Sequence, residues 1–289
     1  MRIVARIKNT SETKKLINLG VDVFLVDTPL AVRKVSLEPF NNFKLLKNVG
    51  RKIYLLMNKM IHEEDLSVLR DLLEIAKKEE VDGIVCGDMS VLVMAKEFNL
   101  ESKVIYQPGT MNTNSFDSEF FSKENIKGLT ISKEITLEEI KKIFKNKYTE
   151  LSLIGHGFID MFYSKRMLIT NYYIYKEFNL SNIKNNDGYR LKEEMRPDSY
   201  YPIFEDESGT HVFRDKALES FSEFSDLKTG LDDFFIERIF LDDEEYFDSI
   251  KAYKNPEFIP VFLSKYQSHY NKGFYYQYTE KIKGELDEN

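Results

Sequence analysis

The tripeptide Gly155-His156-Gly157 closes an apolar run, Glu150-Leu151-Ser152-Leu153-Ile154, and is the best place in the sequence to look for chemistry. An imidazole titrates near neutral pH, so histidine is the side chain best suited to move a proton there or to bind a metal. Flanking glycines let the backbone come close to another group. The alternative for His156 is a ring held by hydrogen bonds with no part in turnover. Other polar residues follow apolar runs in the same way: Asn58 and Lys59, Gly87 and Asp88, Gln107, Ser132 and Lys133, Glu237 and Arg238. None of the four histidines (His62, His156, His211, His269) stands at a ligand spacing, and no His-Glu-x-x-His run occurs, so no metal site is expected. Ser164 lies outside a Gly-x-Ser-x-Gly elbow and Cys86 has no base nearby in sequence, which leaves serine or thiol hydrolysis unsupported. Lys165, Arg166, Arg190, Lys192 and Arg196 form a basic cluster interleaved with Tyr163, Tyr172, Tyr173 and Tyr175. Such a cluster can grip phosphate or carboxylate and stack on bases, or it can be a solvated face over packed tyrosines.

The elements that must position these residues alternate. Residues 2–7, 21–26, 52–57, 81–88, 103–108, 128–132 and 150–154 read as strands, with helices between them. The clearest helix is 63–79, where Leu66, Leu69, Leu72, Leu73 and Ala76 recur at three- and four-residue spacing. Thr136 with Glu139 three residues on predicts a capping box. The alternation predicts βαβ units and an α/β, (β/α)8 TIM-barrel-like fold, whose sites are built at strand C-termini. The eighth strand is expected at 234–237, before a helix over 244–253. Between them the rhythm breaks. Residues 161–228 read as a long insertion of hairpins between strands seven and eight, with turns at 185–188 and 207–209. The expected organisation is a barrel domain over 1–265 and a C-terminal aromatic extension with an acidic tail over 266–289.

Composition narrows the function. The sequence has 289 residues, 42% of them hydrophobic, and a net charge of −7, which argues against strong non-specific binding of nucleic acid but leaves room for a local basic patch. It has 17 Tyr, 22 Phe and no Trp. One cysteine, Cys86, rules out an internal disulfide framework and an all-cysteine cluster within the chain, and it points to a reducing compartment. No run of about 18 apolar residues is present, and the start Met1-Arg2-Ile3 is too charged for a signal peptide. A cytoplasmic protein is expected.

Several blocks then stand in a recognisable order. They are 150–157, Tyr163-Ser164, 168–172, 82–88, Lys192-Glu193-Glu194-Met195-Arg196-Pro197, 201–207, 233–237 and 270–274. Together they resemble the peptidase U32 (collagenase-like) family over almost the whole chain. The resemblance implies a barrel fold. It implies either collagenase-like proteolysis or, as in members concerned with RNA and ubiquinone hydroxylation, a role in modification. The short members that this chain resembles act in prephenate-dependent 5-hydroxylation of tRNA uridine-34, alongside a longer cysteine-bearing paralogue. The family signature has cysteines where this sequence has Asp160 and Met167, a third where Glu219 stands, and Gly where Lys165 stands. The resemblance therefore implies a chain without its own iron–sulfur cluster, with prephenate as a pathway metabolite. The partner would be the longer paralogue, with tRNA met through a local basic patch; a non-catalytic partner role is a further alternative. His156, Glu237 and Tyr163 are the catalytic candidates. Lys165, Arg166, Asn171, Arg196, Asn58 and Asp88 are the substrate-binding candidates.

Overall fold

The computed structural model describes residues 1–183 and 188–277. It opens with β1 (Arg2–Arg6), α1 (Thr13–Asn18) and β2 (Val23–Asp27). The strand–helix step then repeats. Helices α2 (Glu38–Asn41) and α3 (Phe43–Lys47) lead to β3 (Lys52–Met57), α4 (Leu66–Lys78) to β4 (Gly83–Cys86), and α5 (Met89–Glu97) to β5 (Val104–Tyr106). Next come α6 (Ser115–Lys123), β6 (Gly128–Thr130), α7 (Leu137–Lys145) and β7 (Glu150–His156).

The insertion follows: β8 (Asp160–Ser164), α8 (Leu168–Tyr175), β9 (Arg190–Glu193), β10 (Arg196–Asp206), β11 (Gly209–Phe213), β12 (Ala217–Leu218) and α9 (Phe224–Leu227). Strand β13 (Asp233–Ile236) returns to the barrel, and α10 (Asp243–Lys254), α11 (Ile259–Tyr266) and β14 (Tyr270–Asn271) complete the order.

Eight parallel strands close the ring β1-β13-β7-β6-β5-β4-β3-β2. Parallel neighbours require crossovers, and the helices supply them on the outside. This is the barrel that the alternation predicts, with β13 as its eighth strand. The helices follow the sequence pattern. In α4 the residues Leu69, Leu72, Leu73 and Ala76 are buried and the opposite face is charged; each fully buried leucine is worth roughly 1.5–3 kcal/mol. Thr136 and Glu139 form the reciprocal cap of α7.

Inside the ring, Val4, Val23, Leu25, Tyr54, Leu56, Val85, Ile105 and Phe235 fill the lumen. Its N-terminal end is sealed by Arg2, which bridges Asp233 and Glu150 while the Tyr54 hydroxyl donates to Asp233. The lumen is thus closed at its N-terminal end and opens at the C-terminal mouth, where barrels of this kind build their sites.

The insertion forms an antiparallel sheet, β8-β11-β10-β9, covered on one face by α8 through Ile169, Ile203 and Val212. Its β10–β11 hairpin turns at Glu207 and Ser208, where Gly209 adopts φ 129°, as the sequence suggests. The β9–β10 hairpin turns instead at Glu194 and Met195. Of the other expected turn, residues 185–187 lie outside the described residues. The C-terminal segment as far as Gln277 packs onto the barrel. Strand β14 pairs with β12, and Tyr270 and Tyr275 join the main core. No described helix is long and apolar enough to cross a membrane.

Candidate functional site

His156 ends β7, as expected, but its ring does not face the mouth. Register between β13 and β7 runs Phe235 to Ile154 and then Ile236 to His156, so Gly155 is the extra residue of a bulge. A one-residue slip sends the next side chain to the opposite face of a sheet. Ile154 points into the lumen, whereas His156 points outward into an aromatic layer under α10 and α11. It stacks on Tyr270 with centroids 4.9 Å apart, and its Nδ1 shares a hydrogen bond with the Tyr253 hydroxyl at 3.2 Å. Only glycine fits at 155, because a Cβ there would lie 2.0 Å from the Phe234 ring. The ring of His156 is completely buried, and that burial pushes its pKa down to about 3. A neutral, sealed imidazole cannot exchange protons with a substrate at the mouth. The structure places the His156 ring in the aromatic layer outside the barrel and not among the residues that line the mouth.

The mouth holds a cleft of about 290 Å³ among the ends of β3, β4, β5, the loops after β2 and β6, and strand β8. Arg33 and Lys133 both bind Asp160, Arg33 at 3.1 Å. The two cations hold the Asp160 carboxyl far below the usual carboxylate range, against the opposing effect of burial. Beneath this group the buried Arg6 guanidinium binds Asp27 at 2.7 Å and Glu237 at 3.2 Å, and donates to the carbonyls of Val32 and Arg33. Asn58, Gly87, Asp88 and Gln107 line one side, and Tyr163 lines the other. Met60, Met161 and Phe162 stand exposed at the lip.

The cleft unites only some of the expected residues. Asn58, Asp88 and Tyr163 line it. Asp88 acts as a cap, accepting from Ser90 N at 2.9 Å and Ile61 N at 3.0 Å. Tyr163 stacks flat on His211 at 4.5 Å and donates to the Ser208 carbonyl, and burial raises its phenol pKa, so it is a wall and not a base. Glu237 is a partner of Arg6 and does not line the cleft. Lys165 lies nearby, 4.0 Å from Glu64. Arg166 and Asn171 are exposed on the insertion, and Arg196 is exposed at the β9–β10 turn beside Glu193. Sequence reasoning placed Gln107 and Lys133 at strand ends and singled out Asp160 only as standing where the family has a cysteine; it missed Arg33. Nothing local marks Arg33 as a partner of Asp160; its positive φ of 51° is visible only in the fold.

The residues standing where the family has cysteines do not fit a thiolate-held cluster. Asp160 is engaged by two cations. Glu219 binds Lys272 at 2.7 Å and accepts from Phe221 N. Met167 borders a separate hollow with Lys34 and Glu205. The single thiol, Cys86, is buried in β4 and its pKa is raised by that burial. Cys86 is expected to resist a thiol-reactive dye in the native protein and to react stoichiometrically in denaturant; rapid native labelling would contradict its placement.

Comparison with known proteins agrees with this geometry. The sequence matches Peptidase family U32 over residues 8–282. It is 29% identical over 255 residues to tRNA hydroxylation protein P2 of Bacillus subtilis, covering 85% of this chain and 82% of that one. An uncharacterized protease of Methanocaldococcus jannaschii is 24% identical over 301 residues, covering 93% of this chain and 71% of that protein. tRNA hydroxylation protein P1 of B. subtilis is 24% identical over 135 residues, covering 46% and 32%. With a match over nearly its whole length and a closed eight-stranded barrel, the chain belongs to peptidase family U32.

Proposed function

We propose that this chain is a subunit in tRNA hydroxylation, acting on the wobble uridine beside a longer, cysteine-bearing relative and carrying no cluster of its own. The observation that carries this reading is the likeness to tRNA hydroxylation protein P2, which spans most of both chains. The presence of P1 and P2 proteins in one organism supports a two-protein arrangement. The mouth cleft, polar at its walls with an aromatic and thioether lip, suits a base better than a peptide backbone. Exposed Lys165, Arg166 and Arg196 supply local positive charge on an acidic chain. Prephenate enters this reading as a pathway metabolite, and the site of action is the cytoplasm. The collagenase-like alternative predicts gelatin cleavage that is abolished by His156→Ala; the position of His156 away from the residues lining the mouth supports the tRNA reading over it.

Nucleoside mass spectrometry of bulk tRNA tests the proposal. Deleting the gene is expected to lower 5-hydroxyuridine derivatives at the wobble position, with restoration by the intact gene. Unchanged levels in the deletion strain, with the longer relative also deleted, would sink it.

A further inference from the structure

Most polar groups around the mouth are already engaged. Asp88 caps two backbone N–H groups, Asp160 sits between Arg33 and Lys133, and the Tyr163 hydroxyl donates to a carbonyl. Two side-chain amides that line the cleft each keep an unused group. Asn58 Oδ1 accepts from Val32 N at 2.9 Å. That bond fixes the amide, because only its oxygen can accept, and among the described residues it leaves the Nδ2 donor without a partner. Gln107 donates Nε2 to Thr130 Oγ1 at 3.2 Å, which leaves its Oε1 acceptor without one. Both residues line the cleft, on β-strand ends separated by one strand. Between them lies Gly87, where a Cβ would come within 3.1 Å of the Asn58 carbonyl oxygen and 3.5 Å of that of Gln107. The floor between the two amides is therefore bare of side chain. The unused donor and the unused acceptor line the same cleft as the exposed side chains of Phe162 and Met161.

We propose that Asn58 and Gln107 read the polar edge of a uracil ring inserted into the barrel mouth. This rests on the tRNA-hydroxylation reading and assigns the base-recognising residues within it. The edge of uracil presents a carbonyl, O4, beside an N3–H. Asn58 Nδ2 donates to O4, and Gln107 Oε1 accepts from N3–H. Cytosine presents an amino group and a bare ring nitrogen at the same places, so donor meets donor and acceptor meets acceptor. A site built on hydrogen bonds rejects such an analogue strongly, because its own polar groups are left unpaired. Phe162 and Met161 cover the ring face, which contributes affinity without discrimination.

Amide NMR of the full chain titrated with uridine, and separately with cytidine, tests the inference. The side-chain NH2 signals of Asn58 and Gln107 and the backbone signal of Gly87 are expected to move with uridine. Cytidine is expected to need about tenfold more ligand or to produce no movement. Asn58→Asp keeps an acceptor for Val32 N and removes the donor. Gln107→Met keeps the chain length, while Thr130 stays bonded to Ser152. Each is expected to abolish the uridine response while retaining the wild-type fold spectrum. Absence of movement at these three positions in the wild type, or an equal response to cytidine, overturns the assignment. The two proposals fail separately. A uridine response with unchanged tRNA modification removes the tRNA reading alone, and loss of modification with no uridine response removes the assignment of Asn58 and Gln107 alone.

Discussion

Arg6→Met is expected to cost about 3–5 kcal/mol of folding stability, read as a fall in the urea midpoint. Arg6 is 1% exposed and Asp27 is wholly buried. Their 2.7 Å contact is supplemented by Glu237 and by two carbonyls of the loop after β2. Methionine fills much of the volume but leaves the Asp27 carboxylate with only the N–H groups of Val35 and Ser36. A buried charge stripped of its partner is far costlier than the pair was worth. The double variant Arg6→Met with Asp27→Leu should therefore recover part of the loss, since no charge is then stranded. Exposed pairs give the contrast: removing Lys123 from Glu119 should leave the urea midpoint almost unchanged, because solvent screens that pair. A midpoint shift equivalent to less than about 1 kcal/mol for Arg6→Met would mean that water reaches Asp27 and that the network is not sealed. Arg6 also braces the loop that brings Val32 to Asn58 and Arg33 to Asp160. Loss of stability and loosening of the mouth are expected to appear together.

Much of this fold is legible in the sequence because local signals and tertiary structure agree. The leucine spacing of α4, the Thr136 cap and the apolar runs all describe features decided within a few residues. Counting strands to eight and looking beyond the insertion for the last one follows from the closure requirement of a barrel. The site is less legible, for reasons of geometry. A strand end can be found from sequence, but the face on which its last side chain emerges depends on register. One glycine bulge was enough to send His156 away from the mouth. Glu237 directly follows the end of β13, yet its partner is Arg6 on the neighbouring β1, a pairing that no spacing reveals. Asp160 was noticed as a departure from a cysteine pattern. Its two cations come from loops after β2 and β6, which only closure of the ring brings together. The basic residues of the insertion read as one cluster because they are close in sequence. The sheet order β8-β11-β10-β9 separates Lys165 and Arg166, which follow β8, from Arg196 on β10 by one strand and from Arg190 on β9 by two.

The second large effect concerns His156 and pH. Its pKa is about 3 in the folded protein, below the ordinary 6.5, because the buried ring is costly to charge. The unfolded chain binds the proton more readily, so acid favours unfolding. The neutral ring's contribution is fully present above about pH 6.5 and is lost as pH falls toward 3, with a slope approaching about 1.4 kcal/mol per pH unit and a total of a few kcal/mol. His156→Phe keeps a ring against Tyr270 and leaves the Tyr253 hydroxyl bonded to Ser220 N at 2.9 Å. Its stability difference from wild type should shift in the variant's favour across that window, because phenylalanine has no proton to take up. Acidic groups such as Asp160 titrate in both proteins and cancel in the comparison. Parallel stability curves for the two proteins from pH 7 to 4 would show that the ring is hydrated in solution. The same variant separates packing from chemistry. With the ring sealed outside the barrel, His156→Phe should retain wild-type levels of modified wobble uridine in cells at neutral pH to the extent that it stays folded. A catalytic imidazole predicts the reverse, a stable protein with the modification gone.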